Sequence, residues 1–119
     1  MIILQGWINA IDNIKKVEAI RVELKNDYAI ESRIMGMNGI TSCSFFTCRN
    51  HLGKGITELI QKLNKLSKEN PDLHGIIYLH NDEDPIHSNI WQVWIIRKGI
   101  IEKSIDTFLS PISEKTENY

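Results

Sequence analysis

The chain has 119 residues and a formal net charge of −1, and its length is that of a single domain. Hydrophobic residues make up 42% and charged residues 24% of the chain, as in ordinary soluble globular proteins. This balance excludes strong global attraction to nucleic acid or anionic lipid, and no stretch approaches the roughly 18 apolar residues of a membrane span.

The first predicted elements are a strand and an amphipathic helix. Residues 2–11 are rich in β-branched and aromatic side chains, which favours a strand. Asp12 and Asn13 follow and offer an N-cap for a helix. Apolar side chains then recur at helical spacing, at Ile14, Val17, Ile20, Leu24 and Tyr28. The other positions of this helix carry mixed charges, which is typical of a solvated face.

A β-hairpin and a second helix come next. Asn38-Gly39 lies between two β-like runs, and this pair favours a type I′ turn, which needs positive φ at both central positions. Residues 31–37 and 40–48 are therefore predicted to pair antiparallel. The second helix is predicted to end at Asn70, because a residue that precedes proline avoids the helical region. Its apolar stripe consists of Ile56, Leu59, Ile60, Leu63 and Leu66.

Three more strands complete the predicted order β-α-β-β-α-β-β-β. These strands cover residues 74–80, 89–96 and 100–106. Tight hairpins imply antiparallel pairing, so the sequence predicts an α+β fold, with a mainly antiparallel sheet of about six strands and two amphipathic helices. Residues 1–109 form the predicted single domain, and residues 110–119 form a polar C-terminal tail.

The cysteines and the N-terminal sequence bear on the compartment. Cys43 and Cys48 would lie roughly 16 Å apart along one strand, at about 3.3 Å per residue, whereas a disulfide needs Cα atoms within about 7 Å. Two unpaired thiols in a small domain are typical of a reducing cytosol. The N-terminal residues show neither a basic region nor a long apolar run, so no signal peptide is predicted. We therefore expect a cytoplasmic protein.

The most unusual stretch is "YLHNDEDPIH", in which Asp82, Glu83 and Asp84 lie between His80 and His87. An EF-hand calcium loop is excluded, because its glycine at the sixth position is missing. A histidine–carboxylate metal site is a weaker interpretation than a polar loop, since polar residues are expected where a strand runs into a turn. A general acid–base pair needs one carboxyl group in an apolar pocket, whereas three adjacent acids in a loop are expected to be solvated. We therefore predict no enzymatic activity, no cofactor and no bound metal.

A basic series on the second helix supports an alternative interpretation. Lys54, Lys62, Lys65 and Lys68 lie opposite the apolar stripe of that helix and could follow the phosphates of a nucleic acid. A small nucleic-acid-binding module is thus the runner-up function. No aromatic side chains are interleaved with these lysines, as a single-strand stacking platform requires, so a solvated lysine face is the simpler interpretation.

The acids and the aromatic residues together favour a protein that binds another, basic protein. The acidic loop lies between two predicted strands, the second of which carries two tryptophans, and complementary charges steer such encounters. Trp7, Trp91 and Trp94 are expected mostly in the core. A tryptophan on an open face of the sheet would instead anchor an interface.

Five segments, which occur in one order along nearly the whole chain, carry a family resemblance. They are "LQGW" (4–7), "RNH" (49–51), "GIIYLHNDED" (75–84), "VWIIRKG" (93–99) and "DTFLSP" (106–111). With these segments the chain resembles the immunity protein 7 family of bacterial polymorphic toxin systems, which include contact-dependent inhibition. The acidic segment and the Asp-x-Phe-Leu-Ser-Pro segment are the specific parts of the resemblance.

The resemblance implies a non-enzymatic inhibitor in the cytosol that binds and neutralises the C-terminal toxin domain delivered by a neighbouring cell. Toxins of these systems are commonly nucleases, which present a basic cleft to phosphates, and an acidic loop can occupy such a cleft. The residues expected to contact the toxin are His80, Asp82, Glu83, Asp84, His87 and Trp91. Alternatively, the acids cap backbone amides of a turn. The sequence leaves the oligomeric state open.

Overall fold

The computed structural model describes residues 1–11, 13–50, 55–86 and 90–106. Its strands are β1 (Ile2–Ile11), β2 (Ser32–Met37), β3 (Ile40–Arg49), β4 (His74–Asn81), β5 (Trp91–Arg97) and β6 (Ile100–Asp106), and its helices are α1 (Ile14–Tyr28) and α2 (Gly55–Glu69). This order confirms the predicted fold class. The domain boundary predicted after residue 109 and the polar tail lie outside the described residues. Within the described ranges, neither helix has the length and apolar character needed to cross a membrane.

All six strands form one antiparallel sheet in the order β2-β3-β1-β4-β5-β6. The central strand β1 pairs with β3 on one side and with β4 on the other. Each helix therefore connects two strands that run in the same direction and have one strand between them: α1 leads from β1 to β2, and α2 leads from β3 to β4. The second connection brings the end of β4 beside the start of β1, where Asn81 lies opposite Ile2.

Successive side chains of each strand point to opposite faces of the sheet. The helices cover one of these faces and leave the other uncovered. In β1 the side chains of Ile2, Leu4, Ile8 and Ala10 are buried, and α1 packs over the β1–β3 half of the sheet whereas α2 packs against β5 and β6. The core between sheet and helices includes Ile2, Leu4, Ile8, Phe45, Ile77 and Ile96 from the strands, and Val17, Ile20, Leu24, Leu59 and Leu63 from the helices. Burial of such apolar side chains contributes roughly 1.5–3 kcal/mol each, so both helices are held by this one face.

Local signals fix the ends of α1. The Asn13 side-chain oxygen accepts a hydrogen bond from the Lys16 N–H, at 3.2 Å, which confirms the predicted cap. At the other end, Ala29 adopts a left-handed conformation with φ of 54°, and the N–H of Ile30 donates to the Leu24 carbonyl oxygen at 2.9 Å. These bonds satisfy backbone groups that the helix itself leaves unpaired.

Both hairpins use two-residue turns with positive φ. Asn38 and Gly39 have φ of 50° and 78°, and Lys98 and Gly99 have φ of 52° and 76°. Positive φ at both positions is the type I′ geometry that matches the twist of paired strands. The Asn38-Gly39 hairpin is thereby confirmed. β5 continues to Arg97, so the second turn begins one residue later than the sequence predicts.

The close approach of β1 and β4 depends on two glycines. A Cβ atom added to Gly6 would lie 2.3 Å from the carbonyl oxygen of Ile76, and one added to Gly75 would lie 2.2 Å from that of Trp7. Both obstacles are backbone atoms in the middle of the sheet, which cannot move without opening the β1–β4 ladder. Gly36 in β2 differs, because nothing lies within 4 Å of its added Cβ.

We predict that Gly75→Ala lowers the free energy of unfolding by at least about 2 kcal/mol, because overpacking against backbone forces the strands apart. Gly36→Ala is the matched control and should change it by no more than about 0.5 kcal/mol. Urea unfolding followed by tryptophan fluorescence measures both changes. Equal stability of the two variants would contradict the close approach of β1 and β4.

Candidate functional site

The sheet surface that faces away from both helices, here called the open face, carries large apolar side chains. Trp7 on β1 is 41% exposed and Phe46 on β3 is 60% exposed. Trp7 also packs edge to face against the His74 ring, with centroids 6.3 Å apart. Towards the β2–β3 hairpin, the exposed apolar side chains of this face include Ile11, Met35, Met37 and Ile40. Apolar patches of this kind mark interaction surfaces in soluble proteins.

One corner of the open face is an aromatic cluster, which consists of Tyr78, His80 and Trp91. The Tyr78 and Trp91 rings meet edge to face with centroids 6.2 Å apart, and the His80 and Trp91 centroids are 5.5 Å apart. The structure thus brings together two of the predicted site residues, His80 and Trp91. Both are buried, however, with exposures of 3% and 8%, so they offer little direct contact area and instead form the base of this corner.

The acidic turn, residues 82–84, follows directly after this corner. The Asn81 side-chain oxygen accepts a hydrogen bond from the Glu83 N–H at 3.0 Å. A carboxylate oxygen of Asp84 accepts one from the Ile86 N–H at 2.9 Å. The Asp84 N–H also donates to the Asn81 carbonyl oxygen, at 3.2 Å. Asp84 and Asn81 therefore shape the turn, as in the capping alternative.

The other two acids of the turn present their side chains outward. The Asp82 carboxylate forms an ion pair with the amino group of Met1 and is 43% exposed, and the Asp82 N–H donates to the Met1 carbonyl oxygen at 3.4 Å. Glu83 is exposed. Asp106, at the end of β6, lies in register with Trp91, so a further acid borders the same end of the sheet.

Burial and neighbouring charges shift two pKa values at this corner. Burial lowers the pKa of His80, although the Asp82 carboxylate opposes that change. Neither ring nitrogen of His80 has a hydrogen-bond partner among the described residues, so a proton there would be poorly stabilised. The hydrogen bond from the Met1 amino group lowers the pKa of Asp82, which keeps this carboxylate ionised at neutral pH.

Metal binding finds no support within the described ranges. No group of three or more histidine, cysteine or acidic side chains there is arranged to hold an ion. His87, which the sequence places in the predicted site, lies outside the described residues. The two cysteines lie on opposite faces of β3, with Cys43 buried and Cys48 exposed.

The lysine face of α2 is partly neutralised by α1. Lys62 lies 2.9 Å from the Glu23 carboxylate and 3.3 Å from that of Asp27, and its ammonium group is 5.6 Å from the centre of the Tyr28 ring. The two carboxylates raise the pKa of Lys62. A lysine already paired twice is a poor phosphate ligand, so Lys62 adds little to the nucleic-acid alternative, which is left with the exposed Lys65 and Lys68. Lys54 lies outside the described residues.

Sequence reasoning did not single out Phe46 as a surface residue. Phe45 and Phe46 are adjacent in a strand, so one of them must point to each face. The pairing of Gly6 with Phe45 and of Gln5 with Phe46 decides which: Phe45 is buried under the helices and Phe46 lies on the open face. Two adjacent phenylalanines in a strand indicate that one of them lies on each face. Which of the two is exposed depends on the register between β1 and β3.

Comparison with known proteins confirms the family resemblance of the sequence. Residues 2–118 match the model of the Immunity protein 7 family, and the chain belongs to this family. It is therefore an immunity protein directed against a toxin. No curated protein and no solved structure matches the chain.

We predict that His80 makes the fold less stable as the pH falls. Its folded pKa lies below the unfolded value of about 6.5, so the unfolded state takes up the proton first and stability is lost as the pH falls below about 6.5. His80→Phe should reduce this loss between about pH 7 and pH 5. At neutral pH it should not destabilise the fold, because two unpaired ring nitrogens are removed.

Urea unfolding at several pH values measures this effect. Ile76→Val, on the same strand and the same face, is a control that changes packing without removing a titratable group. Equal losses of stability on acidification for wild type and His80→Phe would contradict a buried His80 ring whose nitrogens lack hydrogen-bond partners.

Proposed function

We propose that this immunity protein neutralises a cognate toxin domain by binding it with the open face and the acidic turn and thereby occluding the toxin's active site. The observation that carries the proposal is the continuity of an exposed aromatic sheet face with an acidic corner in a member of the Immunity protein 7 family. The setting is the cytosol of a bacterium exposed to contact-dependent inhibition, and the toxin is a nuclease with a basic cleft.

The open face supplies the apolar part of this interface. Phe46 is the most exposed aromatic side chain among the described residues of this face, and Trp7 on the neighbouring strand presents a large ring that packs against His74. Aromatic anchors that are partly immobilised before binding lose little conformational freedom on association. An exposed aromatic pair on a rigid sheet is therefore suited to the centre of an interface.

The acidic turn supplies the charge. Asp82 and Glu83 are exposed, and a nuclease cleft is lined with cations that bind phosphates. Carboxylates at the edge of the interface attract such a cleft over a distance and speed association. Asp84 has a different role, because the hydrogen bond that its carboxylate accepts from the Ile86 N–H holds the turn in shape.

Within this proposal, His80 and Trp91 support the acidic turn and make little direct contact with the toxin. His80 and Trp91 are buried, and their rings pack against each other in a tilted arrangement, so they fix the exit of β4 and hence the position of the acidic turn. His87 stays a predicted toxin contact. No catalytic step is proposed for any of them, since inhibition by occlusion requires binding alone.

The direct test pairs the chain with the toxin domain encoded by the adjacent gene. Expression of that domain alone should stop growth, and co-expression of this chain should restore it. With purified proteins, hydrolysis of RNA or DNA by the toxin should fall to zero at one equivalent of the chain, and the chain alone should hydrolyse neither. Restored growth without a stable complex, or hydrolysis by the chain itself, would contradict inhibition by occlusion.

We predict that Asp82→Asn combined with Glu83→Gln slows association with the toxin at least about threefold at low salt, with little change in the off-rate, because charges at the rim act on the encounter. The salt dependence of the on-rate should also become weaker. Stopped-flow association at two salt concentrations measures both effects.

Glu18→Gln combined with Glu69→Gln removes the same charge from the two helices, away from both the turn and the open face, and serves as the matched control. Equal on-rates for the two double variants would mean that only net charge matters. The acidic turn would then have no special place in the interface.

A further inference from the structure

A cleft of about 330 Å³ lies on the helix-covered side of the sheet, between the first turns of α2 and the strands β4 to β6. Its apolar walls include Ile56 and Ile60 of α2, and Trp94 of β5. Asp84 of the acidic turn also lines it. A partner that closes over the acidic turn can therefore reach this cleft as well as the open face.

The cleft contains neutral hydrogen-bonding groups among its apolar walls. The amides of Asn81 and Gln92 line it, although these residues are only 6% and 4% exposed. Buried amides of this kind are unusual on the covered face of a sheet, where the neighbouring positions Leu79 and Ile96 are apolar. A side-chain amide both donates and accepts hydrogen bonds, so Gln92 can bind a group that does the same.

The charges around the cleft select against an ionic ligand. Asp84 contributes a carboxylate and Lys103 an ammonium group, and the ammonium nitrogen of Lys103 lies 5.3 Å from the centre of the Trp94 ring. A cationic or an anionic head group would meet one opposite charge and one like charge here. A neutral polar head avoids the like-charge repulsion, which is costly in a partly desolvated site.

A flat apolar body with a neutral hydroxyl head matches this combination. The ring can pack between Ile60 and the Trp94 indole, since aromatic rings gain from edge-to-face and offset contacts. The hydroxyl group can donate to, or accept from, the Gln92 amide. Tyrosine is the side chain with these properties, and it is enriched at protein interfaces for the same reason.

We propose that this cleft binds a tyrosine side chain of the toxin domain, with its ring against Trp94 and its hydroxyl group hydrogen-bonded to Gln92. The site deepens the proposed function, on which it rests for the identity of the partner. The open face and the acidic turn give contact area and speed of association, whereas the cleft selects a particular toxin surface.

The cleft can be tested without the toxin. N-acetyl-L-tyrosinamide is titrated into the ¹⁵N-labelled protein, and the Gln92 side-chain amide and the Trp94 indole N–H are followed by NMR. The tyrosine probe should shift both resonances with an affinity in the millimolar range, on the order expected for a single side chain. N-acetyl-L-phenylalaninamide and N-acetyl-L-argininamide should bind at least about threefold more weakly.

Two variants separate this site from other binding. Gln92→Leu should remove the preference for the tyrosine probe over the phenylalanine probe, because the partner of the hydroxyl group is lost. Gln5→Leu, on the open face of β1, should leave it intact. Absent shifts, equal binding of the tyrosine and phenylalanine probes to the wild type, or stronger binding of the arginine probe would each overturn the proposal.

The toxin complex gives an independent outcome. Gln92→Leu should raise the off-rate of the complex about threefold to tenfold while the on-rate stays within about twofold, in line with the loss of one interfacial hydrogen bond. If the wild-type chain fails to inhibit the toxin, the proposed function fails, but the probe titration still decides the chemistry of the cleft. If inhibition holds and Gln92→Leu leaves the off-rate unchanged, only the tyrosine site fails.

Discussion

The ladder between β1 and β4 is the contact on which the rest of the molecule depends. β1 is hydrogen-bonded along both edges, so it joins the β2–β3 hairpin to the β4–β6 half of the sheet. At two positions along this ladder, Gly6 and Gly75, the two backbones come so close that only glycine fits. Without this ladder the two halves of the sheet would share no strand pairing, because every other pair of neighbouring strands lies within one half.

The same ladder determines where the acidic turn and the aromatic corner lie. It brings the end of β4 beside the first residues of β1, and the acidic turn therefore begins beside Met1 and the corner formed by His80 and Trp91. Both helices pack on one face, because the crossover connections deliver their apolar stripes there. The opposite face keeps exposed apolar groups such as Trp7 and Phe46, which cost solubility unless a partner covers them. In the proposed function, the toxin domain is the partner that covers this face.

Local structure was predictable from the sequence because its causes are local. The cap at Asn13, the turn at Asn38-Gly39 and the apolar stripe of α2 each depend on a few neighbouring residues, and all are present in the structure. Strand order was not predictable in this way, since it depends on pairings between distant segments. For that reason the sequence left open which face Trp91 joins, and it could not anticipate that Lys62 pairs with Glu23 and Asp27 of the other helix.

The candidate site was predicted in part for the same reason. The acids of the turn were recognised from their composition, but the different roles of Asp84 and Glu83 depend on hydrogen bonds that composition does not specify. The exposure of Phe46 and the cleft around Gln92 follow from register and from the placement of α2. Such features emerge only once the sheet is assembled.

Hydroxyl-radical footprinting of the chain, alone and in complex with its toxin domain, tests the central claim most directly. The side chains of Trp7 and Phe46 are accessible in the free protein and should lose most of their labelling in the complex. Val22, which is exposed on α1, should be labelled equally in both states. Unchanged labelling of Trp7 and Phe46, with protection on α1 instead, would contradict binding through the open face of the sheet.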